Sequence, residues 1–136
     1  MILPDPERLK TPAMPNPRLD DRRALVAEDD YFLMDDLCGC LRAAGAVVVG
    51  PAPDIAEALA LIATEPNIGA AVLDLNLRGE MAYPVADALL ARGIPLVFST
   101  GYSQAAIAPR YRRVVRCEKL AGFGAIAKAL ATAMNE

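Results

Sequence analysis

The sequence has no histidine and no tryptophan, and aromatic residues make up only 5% of its 136 residues. The lack of histidine excludes every mechanism that needs a histidine base, metal ligand or phosphoryl carrier within this chain. Three cysteines are present, an odd number, and no pair of them has the spacing of a metal site. We therefore interpret Cys38, Cys40 and Cys117 as core or bystander residues rather than as a redox centre.

Long apolar runs and a strong charge of one sign are also absent. No run approaches the roughly 20 apolar residues of a membrane-spanning helix, although 54% of the residues are hydrophobic. The net charge of −3 gives little electrostatic support for nucleic-acid binding. Residues 1–20 lack the apolar core of a signal peptide and contain five prolines. These absences favour a soluble cytoplasmic protein with neither a nucleic-acid nor a membrane partner.

What the chain does contain is an alternation of apolar strands and helical patterns after a proline-rich, flexible tail at residues 1–21. The strands are predicted at 23–27, 47–49, 68–73, 94–99 and 114–117, and the helices at 31–44, 55–64, 83–92, 103–108 and 122–134. Continuously apolar strands indicate burial on both faces. The predicted fold class is therefore α/β, with a doubly wound five-stranded parallel sheet covered by helices on both sides.

Polar residues follow four of these strands at the point where each strand ends. Glu28-Asp29 follows the first strand, Asp74 the third, Thr100 the fourth and Lys119 the fifth. In a doubly wound sheet, the ligand site lies beyond the carboxyl ends of the strands, near the switch in strand order. We therefore expect these side chains to converge at one edge of the sheet.

The acidic residues among them suit a metal-assisted phosphate site. Clustered carboxylates raise each other's pKa unless a cation joins them, and Mg²⁺ is held by one or two carboxylates with waters and phosphate oxygens. Glu28 and Asp29 could supply the cation site, with the backbone carbonyl of Asn76 as a further ligand. Asp74 could supply both a metal ligand and the oxygen that attacks a phosphoryl group.

The remaining polar residues fit the same chemistry. Lys119 would bring a positive charge to the phosphoryl oxygens, and Thr100 could hydrogen-bond the transferred group. Each residue also has an ordinary structural interpretation: Asp74 as a turn or helix-cap residue, Glu28-Asp29-Asp30 as a solvated acidic loop, and Lys119 as a surface lysine. The phosphate site is the preferred hypothesis, because these separate explanations would all have to coincide at one edge of the sheet.

Four segments of the chain resemble the receiver domain of two-component response regulators. In the family's order they are Leu25-Val26-Ala27-Glu28-Asp29-Asp30, Val72-Leu73-Asp74-Leu75-Asn76-Leu77, Phe98-Ser99-Thr100-Gly101-Tyr102 and Glu118-Lys119. The resemblance covers residues 22–136, the predicted receiver domain, and is strongest to single-domain receivers of alphaproteobacteria with a Phe-x-Thr-Gly-Tyr segment. It implies a flavodoxin-like (CheY-like) fold with strand order 2-1-3-4-5.

The resemblance also implies a role for each site residue. Asp74 matches the phosphoacceptor, Asp29 the direct Mg²⁺ ligand, and Glu28 the acidic residue that acts through a bound water. Thr100 matches the switch hydroxyl, and Lys119 matches the lysine that contacts the acyl phosphate. Mg²⁺ is the implied cofactor, and the chain's own chemistry would be limited to self-phosphorylation and autodephosphorylation rather than enzyme turnover.

The implied partners are proteins. Receivers take the phosphoryl group from a histidine of a histidine kinase or phosphotransfer protein and then bind a downstream protein through the face of the fourth helix, fifth strand and fifth helix. The resemblance implies a monomer or weak dimer. Because no output domain fits within residues 1–21 or after Glu136, we expect a stand-alone receiver or a fragment of a longer protein.

Two positions depart from the family pattern. The proline that usually follows the lysine, joined by a cis peptide bond, is Leu120 here, and we expect a trans bond. The switch aromatic three residues before the lysine is replaced by Arg116, and Tyr102 either takes over part of the coupling or simply packs at its loop. These departures keep a degenerate, never-phosphorylated interaction module open as an alternative. A small aspartate-nucleophile phosphohydrolase is less favoured, because residues 28–30 do not supply its Asp-x-Asp pair.

Overall fold

The computed structural model describes residues 18–119 and 121–135, apart from the side chains of residues 104 and 123. The strands are β1 (Arg23–Ala27), β2 (Val47–Ala52), β3 (Ala70–Asp74), β4 (Asn76–Leu77), β5 (Glu80–Met81), β6 (Leu96–Thr100) and β7 (Val115–Glu118). The helices are α1 (Tyr31–Ala43), α2 (Ile55–Thr64), α3 (Tyr83–Ala91) and α4 (Phe123–Met134), with 3₁₀ turns at Gln104–Ala106 and Pro109–Tyr111.

Five of the strands form one parallel sheet in the order β2-β1-β3-β6-β7. With the β4–β5 hairpin set aside, this is the predicted strand order 2-1-3-4-5, so the predicted fold class is confirmed. The register pairs Val26 with Val72, Val72 with Val97, and Val97 with Val115. The carboxyl ends of four strands therefore lie together at one edge, next to the switch in strand order between β1 and β3.

Successive residues of the central strands point to two apolar cores, one on each face of the sheet. Leu25, Leu73 and Phe98 lie in the core beneath α2 and α3, whereas Val26 and Val72 lie in the core beneath α1 and α4. Strands β1, β3 and β6 are buried along almost their whole length. Burial on both faces, predicted from the continuously apolar strands, is confirmed for these three.

Aspartates begin two of the helices. Asp30 caps α1 by accepting a hydrogen bond from the Leu33 N–H at 3.1 Å, and Asp54 caps α2 by accepting one from the Glu57 N–H at 2.8 Å. Asp30 therefore has a structural role as the N-cap of α1. Of the three consecutive acidic residues after β1, only the first two are therefore left for the site.

The second strand is longer than predicted. The expectation that it ends at residue 49 is wrong, because β2 continues through Gly50 and Pro51 to Ala52. β2 lies at the edge of the sheet, where a proline, which has no N–H to donate, is tolerated. The extension supports the site, since the Glu28 N–H donates to the Ala52 carbonyl at 3.0 Å.

The short helix predicted at 103–108 forms only as a 3₁₀ turn at Gln104–Ala106, and a second 3₁₀ turn follows at Pro109–Tyr111. Pro109 lacks an N–H and disfavours continuation of a helix. The Ala108 N–H donates to the Tyr83 hydroxyl at 3.0 Å rather than to a helical carbonyl. Tyr111 is buried and stacks on Tyr83, with 4.5 Å between the ring centroids. The connection is therefore held both by the hydrogen bonds of its 3₁₀ turns and by the Tyr83 side chain of α3.

A short hairpin that the sequence did not predict follows β3. Arg78 and Gly79 join β4 to β5, and both have a positive φ, at 51° and 84°. Two-residue turns with positive φ at both positions match the twist of an antiparallel pair. The other differences are small: β3, β6 and β7 begin one or two residues later and end one residue later than predicted.

The structure also describes the surroundings of the three cysteines and the length and character of the helices. Cys38 and Cys117 are buried and Cys40 is half-buried. Burial raises the pKa of all three thiols, which keeps them protonated and unreactive. In the part of the chain that the structure covers, no helix combines the length and the apolar character needed to cross a bilayer.

The predicted division of the chain at residue 22 falls beside a packed segment. Residues 1–17 of the predicted tail lie outside the described residues, so the division stays a prediction. Leu19 is 1% exposed and belongs to the core beneath α1 and α4. Its N–H donates to the Ala44 carbonyl at 2.7 Å, which anchors this segment to the end of α1.

We expect Leu19→Ala to lower the free energy of unfolding by about 2–4 kcal/mol, because a buried leucine is replaced by a cavity. Leu90→Ala is the matched control. Leu90 is 44% exposed, so its truncation should change the stability by less than about 0.5 kcal/mol. Urea denaturation measures both variants, and wild-type stability of Leu19→Ala would contradict the packing of Leu19.

Candidate functional site

Four strands deliver the predicted site residues to one edge of the sheet. Glu28 and Asp29 follow β1, Asp74 is the last residue of β3, Thr100 is the last residue of β6, and Lys119 follows β7. The strands end level with one another because they are parallel and in register. Lys119 contacts both Glu28 and Asp74, and one carboxylate oxygen of Asp29 lies within 4.8 Å of oxygens of these two acids.

The acidic trio consists of Glu28, Asp29 and Asp74. Each carboxylate offers one oxygen, and these three oxygens lie within 4.8 Å of one another. Glu28 and Asp74 are buried, at 2% and 3% exposure, whereas Asp29 is exposed. Carboxylates this close repel one another, and a nearby positive charge reduces that repulsion.

Lys119 supplies part of that charge. Its Nζ lies 2.6 Å from Oδ2 of Asp74 and 3.3 Å from Oε1 of Glu28. Burial alone would lower the pKa of Lys119, but the hydrogen bond and negative charge of Asp74, with the charge of Glu28, raise it above its usual value. The ammonium group therefore stays charged and bridges two of the three carboxylates.

Both oxygens of the Asp74 carboxylate have hydrogen-bond partners. Oδ2 accepts from Lys119, and Oδ1 accepts from the backbone N–H of Asn76 at 3.0 Å. The loop that leaves β3 therefore turns back on the Asp74 side chain and brings the Asn76 backbone next to it. Asp74 is held in a single orientation by groups on either side.

The carboxylates of Glu28 and Asp29 differ in their tendency to bind a proton. Burial raises the pKa of Glu28 to about 7, and the nearby Asp74 and Asp29 carboxylates add to the effect, although the Asp30 N–H and Lys119 oppose it. Burial also acts to raise the pKa of Asp29, but hydrogen bonds from the Arg78 N–H and the Glu28 side chain lower it overall. Asp29 is therefore ionised at neutral pH, whereas Glu28 binds a proton more readily than an ordinary glutamate.

Thr100 lies at the same edge but is engaged with its own loop. It is fully buried, and its hydroxyl accepts a hydrogen bond from the Tyr102 N–H at 2.9 Å. Its carbonyl accepts from the Lys119 N–H at 3.3 Å. Thr100 therefore joins the site residue Lys119 to the connection that follows β6.

Sequence reasoning missed Arg78. Its backbone N–H donates to Oδ2 of Asp29 at 2.8 Å, and its guanidinium lies 3.2 Å from Oδ2 of Asp54. The hairpin turn presents this N–H, because Arg78 has a positive φ of 51°. The Arg-Gly pair before Glu80 is only a weak turn signal in the sequence, and nothing local in it points to Asp29.

Two positions singled out in the sequence have different outcomes. Arg116, which replaces the aromatic residue of the family pattern, donates to the Tyr102 carbonyl at 3.0 Å. Tyr102 is 39% exposed, and its hydroxyl accepts a hydrogen bond from the Asn76 side-chain amide at 3.3 Å; its part in the coupling stays a prediction. Leu120 lies outside the described residues, and the trans bond before it stays a prediction.

Comparison with known proteins finds similar solved structures. SdrG from Sphingomonas melonis Fr1 is 37% identical, with 84% of this chain and 97% of that chain covered and a TM-score of 0.74. The BeF3-activated conformation of SdrG from Pseudomonas melonis Fr1 is 36% identical, with 85% and 98% covered and a TM-score of 0.71. A response regulator receiver protein from Sinorhizobium medicae WSM419 is 20% identical, with 86% and 97% covered and a TM-score of 0.71. No protein-family model and no curated protein matches the chain.

The identity of 37% extends over 97% of SdrG, which is more than a shared fold requires. The 20% identity to the Sinorhizobium receiver shows the fold alone, and that fold has the strand order described above. The two findings agree with the resemblance carried by the four sequence segments. The chain therefore belongs to the receiver-domain family of two-component response regulators.

Proposed function

We propose that this chain is a phosphoacceptor switch, in which Asp74 takes a phosphoryl group from a phosphohistidine on a histidine kinase or phosphotransfer protein. The observation that carries the proposal is the environment of the Asp74 carboxylate. It is 3% exposed, hydrogen-bonded to Lys119 at 2.6 Å, and within 4.8 Å of two further carboxylates. Such a group is paired with an ammonium and lies beside an incompletely neutralised acidic cluster, which suits a metal-dependent acceptor.

The oxygen donors suit Mg²⁺, a hard ion that prefers carboxylate, carbonyl and water oxygens. Asp29 and Asp74 would hold it directly, Glu28 through a bound water, and Asn76 through its backbone carbonyl. The ammonium of Lys119 pairs with only two of the three carboxylates, so a divalent ion relieves the remaining repulsion. When bound, Mg²⁺ neutralises charge on the carboxylates and on the approaching phosphoryl oxygens.

The chain's own residues account for the transfer. An oxygen of the Asp74 carboxylate attacks phosphorus, the new O–P bond forms as the N–P bond to the donor imidazole breaks, and the nitrogen leaves with the bonding electron pair. The Asn76 N–H fixes the other Asp74 oxygen. Lys119 moves its charge to the phosphoryl oxygens, and the Thr100 hydroxyl donates a hydrogen bond to one of them.

The phosphoryl group then acts as a local charge switch. It adds negative charge and acceptor oxygens that attract Lys119 and the hydroxyl of Thr100, which biases the connection after β6 towards a second arrangement. The face formed by this connection, β7 and α4 binds the downstream protein in response.

In this proposal the chain acts as a signalling protein rather than as an enzyme with a small-molecule substrate. Its own chemistry is self-phosphorylation and autodephosphorylation. The partners are a phosphodonor protein and a downstream protein, with no role for nucleic acid or membrane. Residues 22–136 form the receiver domain, which works in the cytoplasm as a monomer or weak dimer.

Incubation with acetyl phosphate and Mg²⁺ should add one phosphoryl mass to the protein, and peptide mapping should place it on Asp74. Asp74→Asn should abolish the adduct, because an amide cannot form the acyl phosphate. Asp36→Asn, which alters an exposed carboxylate on α1, is the matched control and should retain it. If neither acetyl phosphate nor a phosphoramidate gives an adduct, the degenerate interaction module is the better account.

Lys119→Met should slow this phosphorylation about 100-fold, because the cation that stabilises charge on the transferring phosphoryl group is lost. Lys128→Met removes an exposed lysine from α4 and should leave the rate unchanged. The measurement is the rate of adduct formation at fixed donor and Mg²⁺ concentrations. Equal rates for the wild-type protein and Lys119→Met would argue against the assigned role of Lys119.

Mg²⁺ binding should depend on pH through Glu28, whose pKa is raised to about 7 by burial and by the neighbouring carboxylates. The raised pKa contributes to the stability of the metal-free fold in full below the ordinary value of 4.5, and that contribution is lost as the pH rises from there to about 7. The ion requires the ionised form, so its apparent affinity should rise roughly tenfold from pH 6 to pH 8.

Isothermal titration calorimetry at several pH values measures this dependence. Glu28→Gln should bind Mg²⁺ more weakly and with a nearly flat pH profile, because residue 28 no longer titrates. Glu57→Gln, a change at an exposed residue of α2, should keep the wild-type profile. A steep profile that persists in Glu28→Gln would show that a different group controls binding.

A further inference from the structure

The polar groups of Tyr102 connect three strands near the site. The Tyr102 N–H donates to the Thr100 hydroxyl at 2.9 Å, and the Tyr102 carbonyl accepts from the Arg116 guanidinium at 3.0 Å. The Tyr102 hydroxyl accepts from the side-chain amide of Asn76 at 3.3 Å. These partners belong to β6, β7 and β4. We call this set of contacts the Tyr102 junction, because it joins the loop after Asp74 to the edge of the sheet.

Arg116 is the member of the Tyr102 junction farthest along the sheet from Asp74. It lies on the edge strand β7, where it is in register with Phe98 of β6. It is half-buried, and its guanidinium reaches across to the start of the β6–β7 connection. A guanidinium is always charged, so its hydrogen bond to the Tyr102 carbonyl is charge-assisted and stronger than a neutral one.

The other end of the connection is held independently of Arg116. Tyr111 is buried against Tyr83, and its hydroxyl donates to the Asp87 carboxylate. Arg110 pairs with the same carboxylate at 3.1 Å. This end of the connection is fixed to α3. The part beside Thr100 is therefore the part that can shift, and Arg116 is the residue that restrains it.

We propose that Arg116 is a positioning residue that holds the Tyr102 junction in the unphosphorylated arrangement and thereby opposes the turn of the Thr100 hydroxyl towards Asp74. The inference rests on the proposed function of Asp74. The Thr100 oxygen is engaged by the Tyr102 N–H, and a hydroxyl that turns to a phosphoryl group leaves that N–H without its partner unless Tyr102 moves as well. Arg116 resists the movement because it binds the carbonyl of the same residue.

The proposal predicts that loss of the Arg116 hydrogen bond changes amide exchange and the affinity for a phosphoryl mimic. Without its hydrogen bond, the amides of residues 101–103 should exchange with solvent about fivefold to tenfold faster, because local opening costs less. The apparent affinity for a phosphoryl mimic should increase by a similar factor of about fivefold to tenfold, since less of the binding free energy is used to change the arrangement.

The experiment compares the wild-type 136-residue chain with Arg116→Met, Arg116→Lys and Arg113→Met. Arg116→Met keeps an apolar stem and removes the donor, and Arg116→Lys retains a charge and a single donor group. Arg113→Met is the matched control, because it removes an exposed arginine a few residues away. Amide exchange and the side-chain amide signals of Asn76 are followed by NMR, first without ligand and then during titration with beryllofluoride and Mg²⁺.

We expect Arg116→Met to speed exchange at residues 101–103, to shift the Asn76 side-chain signals and to bind beryllofluoride more tightly. Arg116→Lys should fall between this variant and the wild-type protein, and Arg113→Met should match the wild-type protein. The Asn76 signals are informative because Asn76 does not lie on the strand that carries the substitution and is reached through Tyr102.

Three results would overturn the inference. Unchanged exchange in Arg116→Met would show that Arg116 does not hold Tyr102. Faster exchange with unchanged beryllofluoride affinity would show a purely structural contact. Equal effects in Arg113→Met would assign them to the loss of charge in general. A wild-type protein that binds no beryllofluoride would contradict the phosphoacceptor role of Asp74 itself, while the exchange measured without ligand would still report on the contact between Arg116 and Tyr102.

Discussion

The contact of one ammonium group with two buried carboxylates is the interaction on which this site depends. Lys119 lies 2.6 Å from Asp74 and 3.3 Å from Glu28, and the exposed Asp29 completes an acidic trio around them. One positive charge does not neutralise three carboxylates. Burial, with the charge of Asp74, raises the pKa of Glu28, and the hydrogen bond and charge of Asp74 raise the pKa of Lys119. The remaining negative charge makes this edge of the sheet suitable for a divalent ion and an incoming phosphoryl group.

The sheet makes that contact possible, and the loops refine it. Parallel strands β1, β3, β6 and β7 end level with one another, so residues far apart in sequence meet at one edge. Around them, irregular segments are held by specific hydrogen bonds rather than by regular structure. The Arg78 N–H orients Asp29, and the Tyr102 junction ties the loop after Asp74 to β7. A rigid sheet whose loops are each held by separate hydrogen bonds can position a site accurately and still allow one loop to move.

The errors in the predicted elements have identifiable physical causes. β2 runs on to Ala52 because an edge strand tolerates Pro51, and edge position is a property of the assembled sheet. The connection between β6 and β7 is not a helix because Tyr83 of α3 accepts the Ala108 N–H and stacks on Tyr111. The hairpin turn at residues 78–79 also lacks a strong local signal. For β2 and for the β6–β7 connection, partners distant in sequence therefore matter as well as the local pattern.

The sequence by itself determined the fold class, the strand order implied by the receiver resemblance, and the residues that meet beyond the strand ends. It could do so because burial on two faces requires continuously apolar strands, and because parallel strands bring the residues that follow them to one edge. Only the tertiary structure decided which groups bind one another: Lys119 to Asp74 and Glu28, the Arg78 N–H to Asp29, and Arg116 to the Tyr102 carbonyl. Such pairings depend on distances of a few ångströms between separate loops and strands, which no local pattern of residues encodes.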